Sequence, residues 1–454
     1  MPAFLSSRRR FLRLLPAALG VGAAWRWAED AWGQLAALVF PGTQPKPLPA
    51  PTLWSGAVTG NSATVKAWVT QAGPARLTVS ATTNPERGRV FEEEAITVAS
   101  YGVRTFKVTG LEPDTIYDYA VEHPGLPRPL PPGRLRTFPE GASSFAFAFS
   151  SCAKTGSAHE VFKTIAKKNP HFFLHLGDLH YSNIEKNDAR LFRAAWQTTL
   201  SSATQAALYR SVPLAYIWDD HDFGPNDCDA KSPSRLASRL TYQEFMPHYP
   251  LGAGGGDVAI YQAFTVGRVR FILTDLRSER SPDNTPDDPR KSMMGARQKA
   301  WFKQELLSAK AGGAALIVWG SSVPLIGKPN RKGDGWAAFA SERQEVADFI
   351  AANGIRNLVV LCGDAHMLAV DDGTNANFST VADCPIPVLH GSALDQGSSF
   401  KGGPYSHGWY LPRRDEGCFG WVEIEDRGTE IELSFSGRNH RDEEKVRFAM
   451  TVRA

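Results

Sequence analysis

The sequence predicts an α+β protein in which a small all-β region precedes a larger domain of sheets covered by helices. Three observations lead there. Between residues 52 and 138 apolar and polar positions alternate with a period of two, as half-buried strands require. From Phe145 onward short apolar runs alternate with stretches of helical spacing, a pattern of sheets layered against helices. Several of those runs break into Gly, Asp, His or Cys, so polar groups collect at strand ends.

At 454 residues the chain is long enough for two folded domains and a leader. A hydrophobic fraction of 43% with 21% charged residues is that of an ordinary globular protein rather than a disordered one. Lys and Arg number 50 against 47 Asp and Glu, but four of the Arg lie in residues 1–24, so the remainder carries 46 basic and 47 acidic side chains. Nothing in that balance suggests non-specific nucleic-acid binding, which needs a concentrated basic face. The cysteines are Cys152, Cys228, Cys362, Cys384 and Cys418, with no C-x-x-C pair, which argues against zinc ribbons and thioredoxin-like redox sites. Most read as small buried hydrophobes, Cys362 in NLVVLCGD above all.

Taken in order, Ser7–Arg13 reads SRRRFLR ahead of the apolar run LLPAALGVGAA, and residues 1–40 are expected to hold a twin-arginine (Tat) export signal and its h-region. The apolar run is too short to span a membrane stably. Residues 41–51, PGTQPKPLPAP, read as a stiff proline-rich linker. In residues 52–138, SATVKAWV, ARLTVSAT and VRTFKVTGLEPDTIYDYAVE supply strands and a turn at Leu111–Asp114. There Leu111, Pro113, Thr115 and Tyr117 resemble the turn and tyrosine corner of fibronectin type III sandwiches. This region carries no clustered catalytic side chains.

Residues 143–454 form the second domain. FAFAFS, HFFLHL, PLAYIW, ALIVWG, NLVVLC, IPVLHG, FGWVEIE and TEIELSFS read as strands. AHEVFKTIAKKN, Asn187–Leu208, Pro233–Met246, Met293–Lys310 and Ala340–Ala352 read as helices, and YQAFTVG with VRFILTDL as a hairpin across Arg268. Loops at Leu251–Asp257, Ser281–Pro289 and Gly327–Gly335 read as surface insertions.

Five strand ends carry groups able to bind metal: FAFAFSSC at Cys152, HFFLHLGDLHY at Asp178 and Tyr181, PLAYIWDDHD at Asp219 to Asp222, FILTDLRSER at Asp275, Arg277 and Arg280, and NLVVLCGDAH at Asp364 and His366. An Asp after a strand is ordinarily a turn former or a helix cap. Five such ends in one domain, with Cys, His and Tyr among them, exceed what turns call for. Carboxylates bridge hard cations, imidazole suits Fe, Zn or Mn, and thiolate and phenolate favour Fe(III) or Zn over Mg. The mixture points to an iron-containing pair of metals, the arrangement that clamps the attacking and leaving oxygens in phosphoester hydrolysis.

With SSC at Ser150–Cys152, GDLHY at Gly177–Tyr181, WDDHD at Trp218–Asp222 and GDAH at Gly363–His366, the chain resembles the PhoD-like alkaline phosphatases of the metallophosphoesterase superfamily. The resemblance covers about residues 52–440. It implies a four-layer αββα catalytic domain and a hydrolase using a metal-activated hydroxide, with Fe3+ and Ca2+ as cofactors, Zn or Mn being the alternatives. Cys152 would ligate iron, Asp178 would bridge iron and its neighbour, and Tyr181 would bind Fe(III) as phenolate. Asp220 would take the second metal, with Asn226 adding an amide oxygen, and Asp364 and His366 would complete the shell. His221 would orient phosphate or protonate the leaving group. Arg277 and Arg280 would neutralise phosphate, the competing reading being surface ion pairs with Asp275 or the loop Asp283–Asp288. Lys328, Arg331 and Lys332 read as a solvated loop, and His180 as a loop side chain.

The sequence departs from the superfamily in two places. WGSSVPL (Trp319–Leu325) stands where an intermediate histidine motif is expected, and GDAH replaces a late G-H-x-H; both favour an oxygen-rich second site. The expected substrate is a small phosphomonoester or phosphodiester, and aromatic surface near the site would favour a diester. The expected location is the periplasm, the cell envelope or the exterior, with the Tat translocase as export partner; no specific nucleic-acid partner is expected, and oligomeric state is left open. The rivals are a phospholipase-D-like phosphodiesterase of the same family, a purple acid phosphatase sharing GDxxY, and a non-catalytic exported binding protein with a degenerate site.

Overall fold

The computed structural model describes residues 51–69, 73–93, 102–123, 130–330 and 332–453. The twin-arginine stretch and all but the last residue of the proline-rich linker lie outside them. The alternating segments form β1 (Thr52–Gly56), β2 (Ser62–Trp68), β3 (Arg76–Ala81), β4 (Arg89–Glu92), β5 (Val103–Thr109), β6 (Ile116–Glu122) and β7 (Gly133–Arg136). β1, β2 and β5 bond to one another, and β4, β3, β6 and β7 make a separate four-stranded sheet. Val65, Leu77, Val79, Phe106 and Val108, on both sets, are buried in a shared core. At the turn between β5 and β6 the Tyr117 hydroxyl accepts a 2.9 Å hydrogen bond from the Glu112 N–H.

The set β1-β2-β5 is continuous with the larger α/β region. β1 runs parallel to β10 (Leu214–Ile217), with Gly56 opposite Leu214. β10 continues into β9 (Phe173–Leu176) and β8 (Phe145–Ser150), all parallel. β8 pairs on its other side with β18 (Cys418–Asp426), which leads to β19 (Glu430–Asn439) and β20 (Glu444–Arg453), giving a nine-stranded sheet. A seven-stranded sheet holds β11 (Gln262–Val266), β12 (Val269–Leu273), β13 (Leu316–Ser321), β14 (Leu358–Cys362), β16 (Val388–Gly391), β15 (Leu368–Asp371) and β17 (Trp409–Tyr410) in that order. Its β12, β13, β14 and β16 are parallel, and β11 and β12 form the expected hairpin. Residues Ala50–Ala454 cluster as one compact unit.

The helices are α1 (Glu160–Lys168), α2 (Ala189–Leu200), α3 (Ala203–Ser211), α4 (Asp220–Phe223), α5 (Arg235–Phe245), α6 (Gly295–Ala311) and α7 (Ala340–Ala352). α1 shows the local logic. Val161, Phe162 and Ile165 fall on one buried face, His159 caps the start by accepting from the Val161 N–H, and Asn169 ends it in the left-handed region beside Lys167 and Lys168. The stretch Asn187–Leu208, expected as mostly helical, splits at Ser201–Ser202, where the Ser202 hydroxyl donates to the Ser157 carbonyl. Serine side chains that bond backbone in this way compete with helical hydrogen bonding.

Alternation along the central strands assigns each face. Phe271, Leu273, Val318, Val359 and Leu361 join Phe147, Phe149 and Leu174 of the other sheet in one core. Ile272, Ile317, Trp319, Leu358 and Val360, the residues in between, pack with Phe302 and Leu306 of α6 and Val346 and Ile350 of α7. The inter-sheet core is aromatic: Phe271 stacks on Phe264 with centroids 4.8 Å apart and meets Phe147 and Phe172 edge-on at 5.3 and 5.4 Å. Phe271→Ala should therefore cost about 3–5 kcal/mol of folding stability, measured by denaturant unfolding. His175 on β9 is buried with neither ring nitrogen partnered among the described residues, and burial pushes its pKa down to about 3. An unfolded His titrates near about 6.5, so below that pH the unfolded chain takes up a proton that the native ring refuses, and stability falls as pH drops towards 3. His175→Leu should remove that dependence, about 1.4 kcal/mol per pH unit in this window, from the pH profile of the unfolding free energy; an unchanged profile would contradict a buried neutral ring.

Candidate metal centre

Because β8, β9, β10, β12, β13 and β14 share one direction within each sheet, the residues that succeed them are delivered by carboxyl ends, where open α/β sheets place ligands. Cys152 comes after β8, Asp178 after β9, Asp219 and Asp220 after β10, and Asp364 and His366 after β14. Four of these take left-handed backbone: Cys152 at φ 64°, Asp178 at 57°, Asp364 at 58° and His366 at 52°. Such conformations cost non-glycine residues about 1–3 kcal/mol each and cluster at functional sites. The glycines of the two GD pairs allow close approach. A Cβ on Gly363 would stand 2.6 Å from the Leu176 carbonyl oxygen and 2.7 Å from that of Ser322, and one on Gly177 would stand 2.7 Å from the Asp219 nitrogen.

Three groups of ligand atoms result, each within 4.8 Å: Cys152, Asp178 and His366; Asp178, Asp220 and His221; and Asp178, Asp219 and Asp364. Asp178 belongs to all three. The Tyr181 hydroxyl donates to Asp178 Oδ2 at 2.8 Å and lies 3.0 Å from His366 Nε2. Cys152 Sγ is 3.5 Å from the same carboxylate oxygen. The other ring nitrogen of His366 is held by the Gly397 carbonyl at 2.5 Å, and His221 Nδ1 by Asn183 Oδ1. These bonds orient each imidazole as the outer partners of metal-ligating histidines do.

The electrostatics call for cations. Burial, then the charges of Asp220, Asp219, Asp222 and Asp364, drive the Asp178 carboxyl well above the usual carboxylate range. Burial likewise raises Asp219 and pushes Asp364 up to about 6, while burial and then Lys401 bring His366 down to about 4. Asp178 Oδ1, Asp219 Oδ2 and Asp364 Oδ2 are buried with no hydrogen-bond partner among the described residues. Buried carboxylate oxygens without donors are stable only when protonated or metal-bound. The residues present fit a metal pair sharing Asp178: the Cys152 thiol and His366 imidazole form one group with the Tyr181 phenol bonded to the same carboxylate, and Asp220 with the His221 imidazole and Asp219 with Asp364 form the others.

Not every expected residue joins the centre. Asn226 is exposed on the loop after α4; that loop reaches the centre through the Asp227 N–H, which donates to Asp220 Oδ2 at 2.6 Å. His180 lies on the loop after β9, as expected, but its side chain turns inward. It is buried, packed edge-on against Trp196 at 4.9 Å, and absent from the three groups. Arg277 and Arg280, expected to neutralise phosphate or else to form surface ion pairs, are both fully buried and so are not surface groups, although the pair of Arg280 with Asp283 of the acidic loop does form. Arg277 donates from Nε to Asp219 Oδ1 at 2.6 Å and forks onto Asp334 at 2.5 and 2.6 Å. Arg280 pairs with Asp283 at 2.8 Å and bonds the Asp334 carbonyl at 3.0 Å over the Phe339 ring. Both are thus engaged by protein carboxylates and carbonyls.

Sequence reasoning named Asp219 with the WDDHD strand end but gave it no ligand role of its own, and it missed Asp334, Asn183 and Lys401 altogether. The ammonium of Lys401 bonds Asp364 Oδ1. A lone lysine in a Gly-rich loop carries no local signal. The stretch lacking a histidine motif still reaches the centre, since the Ser322 hydroxyl donates to Asp219 Oδ1 at 2.8 Å.

Residues 147–394, more than half of the chain, match the family model described as PhoD-like phosphatase. The chain belongs to the PhoD-like phosphatase family. It is 26% identical over 307 residues to the alkaline phosphatase D of Bacillus subtilis, an alignment covering 57% of this chain and 52% of that protein, so it spans about half the length of the curated relative it matches. Among solved structures it is similar to that of PhoD, with a TM-score of 0.69 at 18% identity over 90% of this chain and 91% of the other. It is also similar to a purple acid phosphatase from yellow lupin, with a TM-score of 0.60 at 12% identity over 88% and 74%. These likenesses establish a fold of mixed helices and sheets common to the family and to purple acid phosphatases.

The buried ion pairs of Arg277 give this centre a structural dependency that can be measured. Arg277→Met would leave Asp219 and Asp334 buried without their counter-charge and should destabilise the protein by about 3–5 kcal/mol, read by urea unfolding.

Proposed function

We propose that this chain is an exported, metal-dependent phosphoester hydrolase whose centre is built on Asp178. The single observation that carries the reading is that Asp178 is common to all three groups of ligand atoms. In this reading Cys152, Tyr181 and His366 with Asp178 hold Fe3+, and Asp178, Asp219, Asp220 and Asp364 hold Ca2+, the softer donors selecting iron and the all-carboxylate side a harder cation. When bound, such cations polarise phosphoryl oxygens and acidify water.

The chain's own residues do the rest. His221, fixed through Nδ1 by Asn183, keeps its other nitrogen for a substrate oxygen and is the group suited to hand a proton to the leaving group. Tyr181 packs against it at a tilt, with ring centroids 3.9 Å apart, and limits its rotation. Arg277 acts on phosphate only through the carboxylates it positions, Asp219 and Asp334.

The fold reading that goes with this is a fibronectin-III-like sandwich over residues 52–138 ahead of a four-layer αββα domain over 143–454. Strand sets β1-β2-β5 and β4-β3-β6-β7, and helices packed on the face of the seven-stranded sheet away from the inter-sheet core, support it. The twin arginine of Arg8 and Arg9 supports Tat export to the periplasm, envelope or exterior.

The test combines elemental analysis of the purified protein with hydrolysis of p-nitrophenyl phosphate and bis-p-nitrophenyl phosphate across a pH series. Iron and calcium should both be found, and at least one ester should turn over. Asp178→Ala should lose metal and activity together, by a factor of about 10³ or more in kcat, the scale of an electrostatic group removed from an active centre. Absence of iron together with no hydrolysis of either ester in the presence of Fe and Ca would sink the proposal.

A further inference from the structure

Lys401 is the cation nearest the ligand cluster that neither the motif nor its expected chemistry accounts for. It sits in the loop between β16 and β17, and that loop is fastened to the metal-binding strand end. The Gly397 carbonyl holds His366 Nδ1, and the Ser399 hydroxyl donates to the Ala365 carbonyl at 3.2 Å. The Tyr405 hydroxyl donates to the Lys401 carbonyl at 2.7 Å, fixing the backbone that carries the lysine. The ammonium then lies 2.5 Å from Asp364 Oδ1, with the lysine side chain 39% exposed. An ammonium has three donors, and Asp364 is its only side-chain acceptor among the described residues. Cations bound at Asp364 would draw on the same negative charge, which leaves the open side of the ammonium free to take a second anion in place of water.

A second observation lies on the same loop. Phe400 is 48% exposed and Trp409 51% exposed, and their rings meet edge-on with centroids 5.1 Å apart. Phe400 stands between Ser399, tied to the strand end, and Lys401, tied to Asp364. Trp409 pairs across from Ala369 on β15, the strand that leaves His366. Two large aromatic rings left open to water, one of them next in sequence to Lys401, form an apolar shelf.

We propose that this loop is the substrate-recognition element of the centre. Lys401 takes a phosphoryl oxygen, and the Phe400–Trp409 pair receives an aromatic or apolar ester substituent. The inference rests on the phosphoester-hydrolase reading and names the substrate class it would take. A lysine supplies one compact charge to one oxygen, which suits a group that must change partner between Asp364 and substrate.

The test uses the metal-loaded protein, with metal content determined on every sample. Calorimetric titration with inorganic phosphate, methylphosphonate and phenylphosphonate separates the two parts. Lys401→Met should weaken all three ligands about 10- to 100-fold, the worth of a hydrogen bond to a charged group, at unchanged metal content, and Lys401→Arg should recover part of the loss. Wild type should prefer phenylphosphonate to methylphosphonate by about 3- to 10-fold. The double variant Phe400→Ser, Trp409→Ser should bring that ratio near one without altering phosphate binding. Binding by Lys401→Met within twofold of wild type, or loss of metal along with binding, would overturn the lysine's role. An unaltered ratio in the double variant, or no phosphonate binding by wild type, would overturn the loop's. Phosphonate binding with this pattern in a protein that hydrolyses neither nitrophenyl ester would instead sink the hydrolase reading and leave the recognition loop standing.

Discussion

The mutual repulsion of buried carboxylates is the constraint on which the rest of this structure depends. Asp178, Asp219, Asp220 and Asp364 converge within a few ångströms in a place where water reaches little of them. Like charges so placed cannot all ionise without cations. The protein supplies part of the compensation itself. Arg277, fully buried, takes Asp219 and Asp334, and Lys401 takes Asp364. The three buried carboxylate oxygens left without donors mark what bound cations would complete.

Holding that arrangement requires a frame that does not yield. Two sheets meet across an aromatic core of Phe147, Phe172, Phe264 and Phe271, and their central strands end at the ligands. Four ligand residues sit in left-handed backbone, and the two GD glycines lie against neighbouring backbone where no Cβ fits. Local strain of that kind persists only where surrounding packing over-determines it. The β1–β10 pairing extends the frame further, since it carries the nine-stranded sheet into the first strands of the chain.

Much of this was legible along the chain because the information is local. One strand that ends in Gly-Asp announces only a turn, but five polar strand ends with Cys, His and Tyr among them mark candidate ligands, so Asp178 and Asp364 could be named before any contact was known. Tyr181 and His366, within three residues of those aspartates, came with them. The helices α1, α6 and α7 and the β11–β12 hairpin could be read from periodicity and turn chemistry. The short β15 and the edge strand β20 were not anticipated. Four residues after a turn carry too little pattern to announce β15. β20 does alternate, with Val446, Phe448, Met450 and Val452 on one face and Lys445, Arg447, Thr451 and Arg453 on the other, a period-two signal that was present in the sequence and passed over. The single helical stretch over Asn187–Leu208 proved to be two helices, because a tertiary contact from Ser202 to Ser157 decides the break.

By itself, then, the sequence determined the ligand types, their order at strand ends and the family chemistry they imply, since these depend on residues within a few positions of one another. Tertiary structure alone decided which charges meet. Arg277 and Arg280 read equally well as surface or phosphate-binding groups until their burial against Asp334, more than 50 residues away, gave them protein partners. Lys401 had no motif at all and gained a role only from lying on Asp364. In the chain HFFLHLGDLHY is a strand with a polar tail; in the fold Asp178 is the point through which every ligand group passes, because separate parallel strands bring their carboxyl ends to it.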